Sequence, residues 1–118
     1  MITLDLPAPP SVNKLRRIDW VNHGYARKWR SKANMCVLVA KCRPADPLRL
    51  CRIERFELHI MLSEKHTRVD LDNSLKCVID YLVYIELIAD DAQANMRKLT
   101  VEWGNATEGC RITLEELP

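Results

Sequence analysis

The clearest pattern along the chain is the alternation in CRIERFELHIML, residues 51–62, which places Phe56, Leu58, Ile60 and Leu62 on one face. Such a period of two predicts a half-buried strand. A shorter alternation, ITLDL at 2–6, predicts another strand, stopped by the PAPP cluster, which cannot continue a ladder. Residues 11–27, SVNKLRRIDWVNHGYAR, carry no period and predict a long mobile loop. From 28 to 41 the spacing of Trp29, Met35, Cys36, Val39 and Ala40 predicts an amphipathic helix with these residues toward one side, ending before Pro44. Residues 63–69 read as a polar loop. A second helix over 73–87 is apolar nearly all round (Val78, Ile79, Leu82, Val83, Ile85), so it should be buried on several sides and could pack against a second subunit. Two last strands, 95–103 and 110–116, are joined by GNATEG, which predicts a hairpin turn. The sum is one α/β (α+β) domain over 1–118, a small mixed four-stranded sheet with two main helices packed on it.

Composition adds little until it is divided. Hydrophobic residues make up 47% and charged residues 29%, the balance of a folded globular protein. The start, MITLDLPAPP, has neither a signal-peptide pattern nor an apolar span, which predicts a cytoplasmic chain without a membrane partner. Five cysteines, Cys36, Cys42, Cys51, Cys77 and Cys110, show no zinc-ligand spacing and are expected as reduced, mostly buried thiols. The net charge of +2 conceals an asymmetry: residues 1–59 hold 12 Lys and Arg against 5 Asp and Glu, whereas residues 60–118 hold 6 against 11. A basic first half and an acidic second half suit a polyanion processed with metal ions, and equally suit an internally complementary fold. In the loop, Lys14, Arg16, Arg17 and Arg27 are interleaved with Trp20, His23 and Tyr25, a mixture suited to phosphates and exposed bases, or to a solvated loop with aromatic anchors.

The chemistry concentrates in TRVDLDNSLK, residues 67–76. Inside a helix Asp70 and Asp72 would project about 200° apart. On extended backbone leading into a helix they point to the same side and can converge. Lys76, one helical turn after Asp72, can then reach a phosphate oxygen or a developing negative charge, and Asp80 follows one turn on. LIADDAQ supplies Asp90 and Asp91 after the apolar helix; neighbouring residues on extended backbone diverge, so one faces the site and the other caps a turn. Three carboxylates make a hard-cation site for Mg²⁺ or Mn²⁺. A single Asp capping a helix and a Lys76–Asp80 surface pair would explain part of the same pattern.

The run RVDLDNSLKCVIDYL…LIADDAQ, with LPAPPSVN near the start, resembles the RusA family of Holliday junction resolvases, which shows D-L-D-N, a lysine four residues after the second Asp, an apolar helix, D-D-A-Q and a proline-rich PPSxN start. The resemblance spans most of the chain. It implies a two-fold homodimer of bacterial, phage or prophage type that binds branched DNA and cuts four-way junctions symmetrically with Mg²⁺. Asp70, Asp72 and Asp91 match the metal-binding catalytic acids, Lys76 the catalytic lysine, and Asp90 an acid beside the site; Asn73 could orient a carboxylate or the phosphate. The expected DNA contacts are Lys14, Arg16, Arg17, Arg27, Lys28, Arg30, Lys65 and Arg68. The segment around Lys65, His66 and Arg68 is less basic than the family's arginine-rich version, with Thr67 and Val69 uncharged. His59 is expected opposite the Phe56–Leu62 face, in a structural role. A non-catalytic junction-binding protein is the competing reading, and hydrolysis of a small phosphoester a third.

Overall fold

The computed structural model describes residues 1–9, 24–65 and 75–118. Their elements run β1 (Ile2–Pro7), α1 (Gly24–Lys41), β2 (Phe56–Ser63), α2 (Leu75–Tyr84), β3 (Met96–Gly104) and β4 (Gly109–Glu116). The four strands form one mixed sheet in the order β1-β4-β2-β3, with β2 parallel to β3 and β4 antiparallel to both β1 and β2. The expected α+β class is thus the observed one.

One face of this sheet carries the core. Leu58, Ile60 and Leu62 of β2, which share a row with Phe56, are in register with Leu114, Ile112 and Cys110 of β4, and these with Ile2, Leu4 and Leu6 of β1. All but Ile2 are fully buried, which is what the period-two pattern requires once helices cover that face. The other face holds Glu57, His59, Lys98, Thr100, Glu102 and Thr113 and stays open to solvent; His59, as expected, lies there, bonded through Nε2 to Glu102 at 3.0 Å. Helix α1 covers the sheet with Trp29, Ala33, Val37 and Ala40. Met35 and Val39, expected on that side, are exposed instead, as is Leu38. At 100° per residue Met35 lies about 120° from Trp29, whereas Ala33 and Ala40 stay within about 40° of it. The helix also starts at Gly24, so 24–27 belong to it rather than to the expected loop.

Two further expectations are corrected. Strands β3 and β4 are not a hairpin: β4 is inserted between β1 and β2, and β3 pairs only with β2. Residues 105–108 therefore cross the end of β2. The reason lies in the side chains, since Cys110, Ile112 and Leu114 have 0%, 1% and 0% exposure and need neighbours on both sides, while β3, RKLT above all, is largely exposed and fits an edge. Gly109 makes the entry into β4 possible: its φ is +119°, and a Cβ there would stand 2.5 Å from the backbone nitrogen of Ala8. The other correction concerns α2, which is amphipathic rather than buried all round. Val78, Ile79, Tyr81 and Leu82 face the core, whereas Lys76, Asp80 and Tyr84 are exposed. It stops at Tyr84, where Glu86 adopts φ +62° and the Leu87 and Glu86 amides donate to the Leu82 and Val83 carbonyls, a left-handed helix end. Ile88 then bridges in parallel to Ile53 just ahead of β2.

Of the five cysteines only Cys110 is buried; Cys36 and Cys77 are half-buried, and Cys42 and Cys51 exposed, against the expectation that most would be inside. Burial first, then the charge of Asp5 and the neighbouring Cys77, pushes the Cys110 thiol from its ordinary 9.0 up to about 12. The unfolded chain releases this proton near 9.0 and the folded chain only near 12, so the associated stability is intact below pH 9 and is lost as pH rises toward 12. Tyr81, raised from 10.0 to about 12 chiefly by burial, adds to the same decline above pH 10. Denaturant midpoints measured at steps from pH 8 to 11 should fall, and a Cys110→Ala variant should show a shallower fall between pH 9 and 10.

Candidate metal and nucleic-acid site

The described part of the site is the two ends of α2. Its first turn carries Lys76, whose Nζ lies 3.4 Å from Asp80 Oδ2 in an i,i+4 pair, both side chains well exposed. Such a pair contributes about 0.3–0.5 kcal/mol, so the ammonium is held only loosely and can leave Asp80 for a stronger anion. Beyond the other end of α2, after the Ile53–Ile88 bridge, come Asp90 and Asp91, both exposed. Asp90 Oδ1 accepts the backbone N–H of Asp91 at 2.7 Å, which commits Asp90 to the turn. Asp90 thus serves the turn, one of the two roles expected of the pair. Among the described residues no hydrogen bond or ion pair engages the Asp91 carboxylate, so its oxygens suit a hard cation.

Asp70, Asp72 and Asn73, with His66 and Arg68, lie outside the described residues, as do Lys14, Arg16, Arg17 and His23. Among the described residues there is no group of three His, Cys, Asp or Glu side chains that could hold a metal.

Of the expected DNA contacts, Arg27, Lys28 and Arg30 line the first turns of α1 and are exposed, with Lys32 one turn on. Lys65 is exposed in the turn after β2, where its N–H donates to Ser63 Oγ at 3.3 Å. The structure adds residues that sequence reasoning passed over. Arg30 sits over the Tyr84 ring, 4.7 Å from its centroid, tying the basic start of α1 to the exposed side of α2. Beneath, Tyr81 packs edge-on against Trp29 with centroids 5.1 Å apart and donates its hydroxyl to Asn34 Oδ1 at 2.8 Å. The only available signal was the helical spacing of Tyr81 and Tyr84 behind Lys76, which does not name a partner on another helix. Neither Cys36 nor Cys110 is a poised nucleophile, because burial raises both thiols where a reactive cysteine needs a lowered pKa.

No protein-family model matches this sequence, and comparison with curated proteins finds no match. No helix among the described residues is long and apolar enough to cross a membrane.

Proposed function

We propose that the chain is a metal-dependent endodeoxyribonuclease that binds four-way DNA junctions and resolves them by paired, symmetric phosphodiester cleavage, as its resemblance to the RusA family implies. The observation that carries this reading is the combination D-L-D-N, lysine four residues after the second acid, and D-D-A-Q on either side of one helix. Lys76 and Asp91 both reach solvent, as such a role demands.

In this reading Asp70, Asp72 and Asp91 hold Mg²⁺, or Mn²⁺ in its place. When bound, the ion supplies Lewis-acid chemistry, easing deprotonation of the attacking water and stabilising charge on the departing oxygen. Lys76 exchanges its weak contact with Asp80 for the phosphate and stabilises charge developing there. Asn73 orients a carboxylate or the phosphate, and Asp90 positions the Asp91 backbone through their hydrogen bond. Arg27, Lys28, Arg30 and Lys65, with Lys14, Arg16, Arg17 and Arg68, neutralise DNA phosphates. A two-fold dimer would present two such sites to opposed strands of a two-fold symmetric junction.

The second reading, a junction-binding protein without catalysis, is favoured by one observation: the Lys76–Asp80 pair is also what an ordinary exposed helix displays. A synthetic mobile four-way junction separates the two. With Mg²⁺ the native chain should nick two opposed strands at symmetric positions, and EDTA should abolish product while leaving the complex intact. Affinity should fall with a log–log salt slope of about 0.9 per phosphate neutralised. Tight junction binding without product in either Mg²⁺ or Mn²⁺ would establish the second reading instead.

A further inference from the structure

Helix α1 runs beside the outer edge of β1, opposite to it in direction, and is tied to it at two points. Trp29 Nε1 donates to the Pro7 carbonyl at 2.9 Å, and Arg43, two residues past the helix end, donates through Nη2 to the Thr3 carbonyl at 3.1 Å. In an antiparallel strand, residues two apart turn their backbone groups to the same side. The Asp5 amide and carbonyl therefore point outward as well, midway along the roughly 14 Å of strand from Thr3 to Pro7. Among the described residues neither group has a hydrogen-bond partner, nor has the Thr3 amide. The two ties protect the ends of this edge and leave its middle open to pairing.

Against that open middle lies a cavity of about 270 Å³ whose lining includes Asp5, Met35, Val39, Ala40, Arg43 and Glu108. Met35 and Val39, 61% and 68% exposed, give it an apolar wall on α1. Arg43 stands at one end. Its Nε donates to the Ala40 carbonyl at 3.2 Å and its Nη2 to Thr3, so the side fork of the guanidinium is fixed by backbone. The end fork, Nη1 with the second Nη2 hydrogen, is unused, and Arg43 makes no ion pair among the described residues. A guanidinium held in place with two parallel N–H groups open matches a carboxylate in bidentate fashion. Beyond Arg43 the groove continues into a second cavity of about 360 Å³, which Thr3 and Arg43 also line and to which Arg49 brings a further cation against one acid, Asp46. At the Trp29 end the charge is reversed: Glu108 precedes Gly109, the partner of Pro7 in the ladder.

We infer that this groove between β1 and α1 receives the free C-terminus of a partner protein, bound as a short added strand with its carboxylate on Arg43. The bound chain enters at the Trp29 end, away from the repulsion a carboxylate would meet at Glu108, and runs antiparallel to β1. Its residue two before the terminus stands opposite Asp5 and exchanges both backbone hydrogen bonds with it. The terminal carboxylate accepts from the Thr3 amide and from the Arg43 end fork. Asp5 turns its own side chain to the open face of the sheet, where Arg111 Nε donates to it at 2.9 Å, so the penultimate residue of the bound chain turns the other way, onto Met35 and Val39. An apolar residue is required there. An internal strand is excluded, because it would have to continue past Thr3, whose carbonyl Arg43 already holds. The site uses none of the residues of the nuclease reading and stands or falls apart from it.

The probe is the peptide Ser-Leu-Thr-Leu-Ser with a free carboxylate and fluorescein on its amino end, followed by fluorescence anisotropy against the full chain. The acid should bind, and its C-terminal amide should bind about tenfold more weakly or worse, since the charge-assisted bonds to Arg43 are lost. Met35→Glu and Val39→Asp, at exposed positions, should each weaken the acid about tenfold or more while the denaturant midpoint stays near native. Arg43→Gln should bind acid and amide alike; because Arg43 also holds two backbone carbonyls, the Met35 and Val39 variants keep the test decisive should that variant fail to fold. In ¹⁵N-labelled protein the amide resonances of Thr3 and Asp5 should shift as peptide is added. Equal binding of acid and amide by the native chain overturns the inference, as does an absence of binding up to millimolar peptide, or binding that leaves Thr3 and Asp5 unmoved. Shifts of those two resonances with protein concentration alone overturn it in favour of a second copy as the occupant.

Discussion

Asp72→Asn is expected to leave junction affinity within a few-fold of native and to lower the cleavage rate on the order of 10³-fold or more, equivalent to about 4 kcal/mol of transition-state stabilisation. The substitution is nearly isosteric and removes one negative charge, so binding to a polyanion should hold or improve slightly while the carboxylate needed for the cation is lost. Lys76→Ala should act in the same direction, on the order of 10²–10³-fold, because one preorganised positive group aimed at developing charge is removed. Asp80→Asn is the informative control. Its carboxylate does no more than hold Lys76 in an exposed pair, so cleavage should stay near native. Single-turnover cleavage of a labelled junction, with binding followed by fluorescence anisotropy, measures both quantities on one substrate. Undiminished cleavage by Asp72→Asn would end the catalytic assignment, and equal losses for Lys76→Ala and Asp80→Asn would reduce Lys76 to a surface residue.

What could be read in advance was whatever a short periodic stretch determines by itself. The alternation of Phe56, Leu58, Ile60 and Leu62 has one physical solution, a strand with one face buried, and the structure has it. Sheet order is different in kind, because it depends on which strand needs two neighbours. The apolar rows do not decide it, since Cys110, Ile112 and Leu114 of β4 and Leu99, Val101 and Trp103 of β3 alternate alike, and a short connection such as GNATEG suggests a hairpin. On α1, Met35 and Val39 were assigned inward by hydrophobicity, and the helical period overrides it. Within the site, the divergence of adjacent residues says that one of Asp90 and Asp91 serves a turn but not which, and the hydrogen bond from the Asp91 amide assigns it to Asp90. The Arg30–Tyr84 and Tyr81–Asn34 contacts join residues far apart in the chain, which no local rule connects.

Those contacts lead to the largest expected effect on stability. Tyr81 is 3% exposed, packs its ring edge against Trp29, and bonds through its hydroxyl to Asn34, so it fastens α2 to α1 at two points. Removing a buried ring of this size costs about 3–5 kcal/mol, in a domain whose whole stability is of the order of 5–15 kcal/mol. Tyr81→Ala should therefore lower the denaturant midpoint by a third or more, or prevent folding at physiological temperature. Tyr81→Phe keeps the ring and its edge-on contact and loses one hydrogen bond whose acceptor, on the exposed Asn34, can turn to water; the cost should be about 0.5–1.5 kcal/mol. Urea unfolding of the two variants measures the difference, and comparable losses for Phe and Ala would mean that the hydroxyl rather than the packing joins the helices. The milder variant also bears on DNA binding. Arg30 reaches Tyr84, one turn along α2 from Tyr81, so the cations at the start of α1 keep their place relative to Lys76 only while the two helices are locked together. Tyr81→Phe, folded but looser at that joint, should bind a junction with an unchanged salt slope and a faster dissociation rate, since the same phosphates are neutralised by a less preorganised surface.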